Sequence, residues 1–430
     1  MKKISLSTVL YAILAPFVVR YVNTYISGGK VLFDNSVFYL MTFIGLIFLI
    51  IFDIKKSKNK SYHYTKLIII SITILTILLT ATLPRIQLRQ ETYPEYNLND
   101  SGAKTLNASN LLIRGKNPYA VNFSSTPFGH IYSNKYSKRY EGEFMHYVYL
   151  PFFLLSNTFV QIITYHYFGF ADSLIILIIF YFLSLILLYL IPKNKEKKLS
   201  IILIAALNPY FLISLIHGQN DIFTFFLILI SLFFLNKNKD FWSIIFLGLA
   251  CASKQYAWFL TLFYFFHFYY IPKNKKNWPR IKYSFKKLLP GLIVFIIFIS
   301  PFLFWSASNF IKDVFLFGIG GLKTSFPASG VGWGGILVKS GIIKSMHGFS
   351  ITYILQILIS LPLFLWLIKK LKCNNTVKNI TLFYTLFTFT FFVFSRFFND
   401  SFIGLFSLLL VLAWTFGENK VTTKKYITKF

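Results

Sequence analysis

This sequence is short of acid. Only 14 of its 430 residues are Asp or Glu, and charged residues of both signs make up 13%, about half the share usual in a soluble domain. Too little charge is available to cover a water-facing surface, so a soluble globular protein is excluded. Cysteine is scarce too. Cys251 lies inside an apolar run and Cys373 beside a lysine cluster, which suits neither a disulfide framework nor a metal site. No cleavable leader is expected, because the first apolar stretch continues past Arg20 without a small-residue cleavage site.

What the chain has in excess is apolar and basic. Hydrophobic residues reach 56%, aromatics 20%, and 44 Lys and Arg give a formal charge of +30. In a soluble protein that excess would suggest nucleic acid. Here the basic residues fall in short clusters between long apolar runs, as they do in the cytoplasmic loops of membrane proteins. Membrane lipids are therefore expected as surroundings, and nucleic acid is not expected as a partner.

A membrane-crossing helix needs about 20 mostly apolar residues. Candidates lie near 6–26, 37–53, 66–84, 148–167, 172–192, 199–217, 222–236, 241–257, 258–272, 288–305, 351–369, 378–395 and 401–416. Seven clusters, at 2–3, 55–66, 193–198, 237–239, 273–287, 369–378 and 420–429, hold 28 of the 44 basic residues. They share one side only if a candidate in the first half does not cross. The segment 148–167 is that one: it opens on Pro151, contains Ser156-Asn157-Thr158 and Gln161, and ends on Tyr165-His166-Tyr167. It reads as an interfacial or re-entrant helix on the outer side.

The expected fold is thus all-α, a polytopic transmembrane helical bundle of about 12 spans plus that short helix. The short spans within 241–272 are expected to break around Lys254-Gln255-Tyr256. No internal repeat or linker divides residues 1–430, which read as one membrane unit. Two large outer loops are expected at 85–147 and 306–350, with outer turns at 218–221 and 396–400.

The polar residues that stand out fall in those outer segments. The first loop holds five acids: Glu91, Glu95, Asp100, Glu141 and Glu143. A helix is expected from Ser101 to Ile113, capped by Asp100 or Ser101, with Arg114-Gly115 as its stop and Asn117-Pro118 opening a turn. On local grounds Asp100 is either a capping carboxylate on a solvated loop or a reactive acid beside the membrane. The stretch His217-Gly218-Gln219-Asn220-Asp221 is either a tight turn or a functional cluster, since ionisable groups at membrane depth usually face a cavity or a partner.

Lys254 lies within an apolar stretch, where it either snorkels to the interface or binds a phosphate. Arg396, in Ser395-Arg396-Phe397-Phe398-Asn399-Asp400, is a phosphate ligand or an interface anchor. The Gly-rich run from Phe326 to Gly335 is a lid or an ordinary loop. An acid in the first outer loop with cations at the boundary suits sugar transfer from a lipid-linked phosphate: cations hold the phosphate and a carboxylate deprotonates the acceptor hydroxyl. A transporter or flippase is the competing reading, and transporters often carry inverted repeats that are not seen here.

The order of these features resembles the GT-C superfamily of membrane glycosyltransferases. It is closest to the polyprenol-phosphate-mannose-dependent mannosyltransferases of glycosyltransferase family 87 and their bacterial relatives. Asp100 stands where that family has an Asp in its first outer loop, and Leu111 to Tyr119 is similar to its LLxRGxNPY stretch. Tyr147 to Pro151, Asn208-Pro209, Gly218 to Asp221, and Gly248-Leu249-Ala250 through Lys254 match further family segments.

The resemblance implies an inverting hexose transfer from a polyprenyl-phosphate donor to a glycan or glycolipid acceptor on the extracytoplasmic face. It implies Asp100 as general base with no covalent intermediate; no cofactor is expected, and no cluster has metal-ligand spacing, although Asp100 with another acid could hold a divalent cation. Arg114, Asn117, Tyr119, His217, Gln219, Asp221, Lys254, Tyr256 and Arg396 are the candidate substrate-binding residues. The chain departs from the family in having three spans before the first loop, and Ala257 where a proline is usual.

Overall fold

The computed structural model describes residues 4–26, 35–55, 60–91, 100–126, 145–170, 172–272, 274–343 and 351–416. Each apolar segment marked in the sequence falls on helix, with 199–217 split into two at Asn208-Pro209. In chain order these are α1 (Leu6–Ile26), α2 (Asn35–Lys55), α3 (Lys60–Glu91), α4 (Asp100–Ile113), α5 (Pro151–Phe168), α6 (Ser173–Leu190), α7 (Lys195–Ala206) and α8 (Pro209–Ile216). They continue with α9 (Asp221–Asn236), α10 (Asp240–Cys251), α11 (Ala257–Tyr269), α12 (Asn277–Trp305), α13 (Ala307–Ile311), α14 (Trp333–Lys339), α15 (Ile351–Cys373), α16 (Val377–Val393) and α17 (Asp400–Thr415). Two short strands, β1 (Ser329–Gly330) and β2 (Phe397–Phe398), pair in parallel. The protein is an all-α polytopic membrane protein.

By length and composition alone, α3, α6, α12 and α15 are long and apolar enough to cross a membrane, and the α7–α8 pair, bent by 50°, makes a fifth. Helices α9, α10 and α11 have 16, 12 and 13 residues. At about 1.5 Å per residue each falls short of a hydrocarbon core about 30 Å thick. The expected break around Lys254 is real: α10 ends at Cys251 and α11 starts at Ala257. Helix α5 has 18 residues, yet it is not among the helices apolar enough to cross.

Local chemistry sets these boundaries. Asn208 accepts from Phe211 N at 3.1 Å, and Pro209 takes the first helical position of α8, where its missing N–H is no loss. Asp172 caps α6 through Leu174 N at 2.8 Å. Gly115, at φ +69°, ends α4, with its N–H on Leu112 O and that of Lys116 on Leu111 O, the left-handed stop foreseen at that glycine. Helices α10 and α12 touch through backbone: a Cβ built on Gly248 would lie 2.4 Å from the carbonyl oxygen of Gly291.

The connecting segments collect at two ends. At the lysine-rich end, Ser7 N donates to Glu196 at 2.6 Å, Lys197 Nζ to Trp414 O at 2.5 Å, and Lys287 pairs with Asp240 at 2.7 Å. The buried Asp53 carboxylate there receives Ser5 N and Oγ, each at 2.8 Å, Lys66 Nζ at 3.0 Å, and the Tyr62 hydroxyl. At the opposite end a second, smaller hydrophobic cluster joins α4, Tyr119, Phe123, Tyr147, Leu150 and Leu154, the end of α12 and the residues around Phe310. Described parts of the two large loops of the sequence reading thus pack against one another.

Candidate active site

Helix α4 starts at Asp100; the Asp100 side chain lies outside the described residues. Behind it Ser101 through Ser109 are buried, an unusual state for a face carrying Lys104, Thr105 and Ser109. The helix packs on α5, and Asn157 of α5 donates to Ser109 Oγ at 3.0 Å. Arg114 follows the helix stop and is exposed. Asn117 accepts from Tyr119 N at 3.0 Å, and the Tyr119 hydroxyl donates to Tyr149 O at 2.7 Å. Tyr119 is also ringed by Tyr147, Phe302 and Phe310. Asn117 and Tyr119 therefore shape the loop core, and the Tyr119 hydroxyl is already engaged.

The structure brings the other motifs together. Helix α8 ends at His217 and Gly218, which has φ +75°. The chain then returns through Gln219, whose N–H reaches Ser214 O at 2.8 Å. That turn delivers Asn220 and Asp221 to the head of α9. Opposite, the break between α10 and α11 delivers Lys254. Its ammonium donates to Asp221 Oδ1 at 2.6 Å and Asn220 Oδ1 at 2.9 Å, and lies 5.6 Å from the ring centre of Tyr256.

Lys254 thus meets a carboxylate and is not held ready for a phosphate by charge alone. An ion pair this little exposed keeps its net charge near zero, and removing one member would strand the other. The Lys254 side chain is 15% exposed. Around it, among the described residues, the Asn220 Nδ2 and Gln219 Oε1 have no hydrogen-bond partner, while the Tyr256 hydroxyl faces Thr224 and Asp221. A cation beside unengaged polar groups can receive an oxyanion without dismantling any other bond.

Arg396 is placed elsewhere at the same end. It is buried and donates to Phe326 O, and Gly320, at φ +73°, gives it room: a Cβ there would overlap the guanidinium. Strand β1 of the glycine-rich run pairs with β2, beginning with Ser329 N on Arg396 O at 3.0 Å. The glycine-rich run is therefore stitched to the Arg396 turn. Gln255 is tied to this end too, donating to Val314 O at 3.3 Å.

Two pairings escaped the sequence reading. Arg89, near the end of α3, makes a buried pair with Asp172 at 2.8 and 3.0 Å and reaches Ile216 O at 3.3 Å. His146 lies between the two large loops, with Nδ1 at 2.7 Å from Asp313 Oδ1 and Nε2 at 2.8 Å from Thr324 Oγ1. Burial pushes the Asp313 carboxyl above its ordinary value, with His146 opposing. Asp313 sits in a π-helical turn, Lys312–Leu316, a geometry often found at functional sites. The partners are 83 and 167 residues apart in sequence, so no local motif signals them.

Comparison with known proteins adds the family. No curated protein matches the chain. A family model, that of glycosyltransferase family 87, matches residues 147–396. The match takes in His217, Gln219, Asp221, Lys254, Tyr256 and Arg396 and stops short of Asp100, Arg114, Asn117 and Tyr119. It spans more than half of a chain already shown to be a helical membrane protein, and the chain therefore belongs to glycosyltransferase family 87, as a membrane glycosyltransferase.

Proposed function

We propose that this protein transfers a mannose-like hexose from a polyprenyl-phosphate donor to a glycan or glycolipid acceptor. In this reading the loop end of the bundle is the extracytoplasmic face of a cell membrane, and residues 1–430 act as one catalytic unit. The observation that carries the proposal is the Lys254–Asp221–Asn220 cluster, a part-buried cation beside unengaged polar groups at the loop end. A lipid phosphate at the interface needs such a partner, and a charge-assisted contact is about twice as strong as a neutral one.

The chemistry is a single displacement. The acceptor hydroxyl oxygen attacks the anomeric carbon, the bond from that carbon to the phosphate oxygen breaks, and polyprenyl phosphate leaves. Asp100 takes the hydroxyl proton as general base, and the anomeric configuration inverts. Lys254, aimed by Asp221 and Asn220, steadies the charge that builds on the leaving phosphate. Arg396, Gln219, His217 and Tyr256 complete the proposed binding surface.

The test is transfer by the purified protein from a polyprenyl phosphohexose, with nucleotide sugars as the control. Asp100→Asn should stop turnover while leaving expression and thermal unfolding unchanged. Full activity in that variant would remove Asp100 from the mechanism.

A further inference from the structure

Helix α5 carries the least satisfied polar side chains of the loop end. Gln161 is 1% exposed, and among the described residues neither its Oε1 nor its Nε2 has a hydrogen-bond partner; Asn157, fully buried one turn earlier, has none there for Oδ1. These positions are four apart, so they share one face of the helix, and Asn157 of that face reaches Ser109 of α4. On α4, Thr105 and Ser101 follow Ser109 at the same spacing, leading back to Asp100. Helix α6, which also packs on α4, opens with Ser173, whose buried hydroxyl is likewise without a partner.

Buried amides are nearly always hydrogen-bonded, and each exception calls for a cause. The unengaged atoms here are one amide N–H₂ donor, two amide acceptors and a hydroxyl able to do both. None is charged. That set does not match a phosphate, which needs donors and positive charge. It does match a ring of hydroxyl groups, each of which donates and accepts.

We infer that the α4–α5 seam is the hexose-recognition subsite, with Gln161 and Asn157 reading the ring hydroxyls of the sugar to be transferred. The inference rests on the function proposed above and goes beyond it. It assigns sugar selectivity to residues outside the Lys254 cluster, on the helix whose first turn meets the Lys254 break, Phe152 N donating to Ala252 O at 3.0 Å. A sugar bound there lies against the helix that Asp100 begins. Gln161 is a specificity residue in this scheme: its amide contacts substrate hydroxyls and takes no part in proton transfer.

The experiment compares wild type with Gln161→Leu and Gln161→Glu on short-chain polyprenyl phosphohexoses that differ at one ring hydroxyl. Wild type should discriminate between the epimers. Gln161→Leu should lose about tenfold in kcat/KM on the preferred epimer, the worth of one neutral hydrogen bond, and much less on the other. Gln161→Glu, which keeps the acceptors but not the donor, should shift the preference differently. Protection of each protein from thermal unfolding by the same donors is measured in parallel and needs no turnover.

Unchanged epimer preference and unchanged protection in Gln161→Leu, with higher thermal stability, would overturn the inference and mark the amide as an unfilled defect. If wild type neither turns over nor is protected by any phosphohexose, the donor reading itself fails. If wild type turns over while both variants keep its selectivity, only the seam assignment fails.

Discussion

The two ends of the bundle bury charge in opposite styles. At the lysine-rich end, the Asp53 carboxylate receives a backbone amide, two hydroxyls and the Lys66 ammonium, and Lys66 also reaches Thr8 at 3.0 Å. That network is closed: it ties α1, α2 and α3 together and has little left to offer a ligand. At the loop end, Lys254, Asp221 and Asn220 form a network that stops short, with the Asn220 Nδ2 and Gln219 Oε1 unengaged among the described residues. The difference separates two uses of the same residue types. A closed network fixes a fold, whereas an open one keeps bonding capacity for a guest.

The comparison can be broken most forcefully at Asp100. Loss of a general base costs on the order of 10²–10⁴-fold in rate, so Asp100→Asn should lower kcat by that much without moving the unfolding midpoint. At the other end the effect should fall on stability. Asp53→Ala strands a buried lysine and should cost about 3–5 kcal/mol, read from denaturant unfolding in detergent. Replacing both partners, as Asp53→Leu with Lys66→Met, should recover most of it. If the double variant is as unstable as the single one, the Asp53 network is not the clamp described.

Smaller effects sharpen the contrast. Asp221→Asn and Lys254→Met should each raise the donor KM about tenfold or more, with coupling of roughly 0.5–3 kcal/mol between them in a double-mutant cycle. Strictly additive effects would mean that the pair does not act as a unit.

The smallest effect is a pH dependence at Asp313. Asp313 is an acid whose pKa burial has raised, so the folded state favours its protonated form. Its contribution to stability is fully present below the unfolded value of about 3.9 and is lost as pH rises through the higher folded value. Asp313→Asn should flatten the decline in stability across that window. An unaltered pH profile would show that the His146 contact already offsets the burial.

Much of this was legible in residue order, because hydropathy and turn chemistry are local. The apolar segments became helices, Gly115 ended α4, and the α10–α11 break fell at Lys254. What stayed hidden depends on partners distant in sequence. Lys254 looked like a spare cation because Asp221 is 33 residues away. Gln161 and Asn157 read only as reasons for α5 not to cross the membrane. Their burial against α4 shows where that polarity points. Asp100, outside the family match and with its side chain outside the described residues, still rests on the motif resemblance.

The contact between Gly248 and Gly291 bears on how the protein is made. Lipid tails are as apolar as the helices they surround, so helices in a bilayer associate through close packing more than through water exclusion. Helix α10 leaves the ribosome before α12 and has to wait for it. Because the two backbones meet directly, one methyl group at either glycine would hold them apart and keep the Lys254 break from seating. Gly248→Ala should therefore show itself first as protein lost to proteolysis during biogenesis, before any purified enzyme can be assayed.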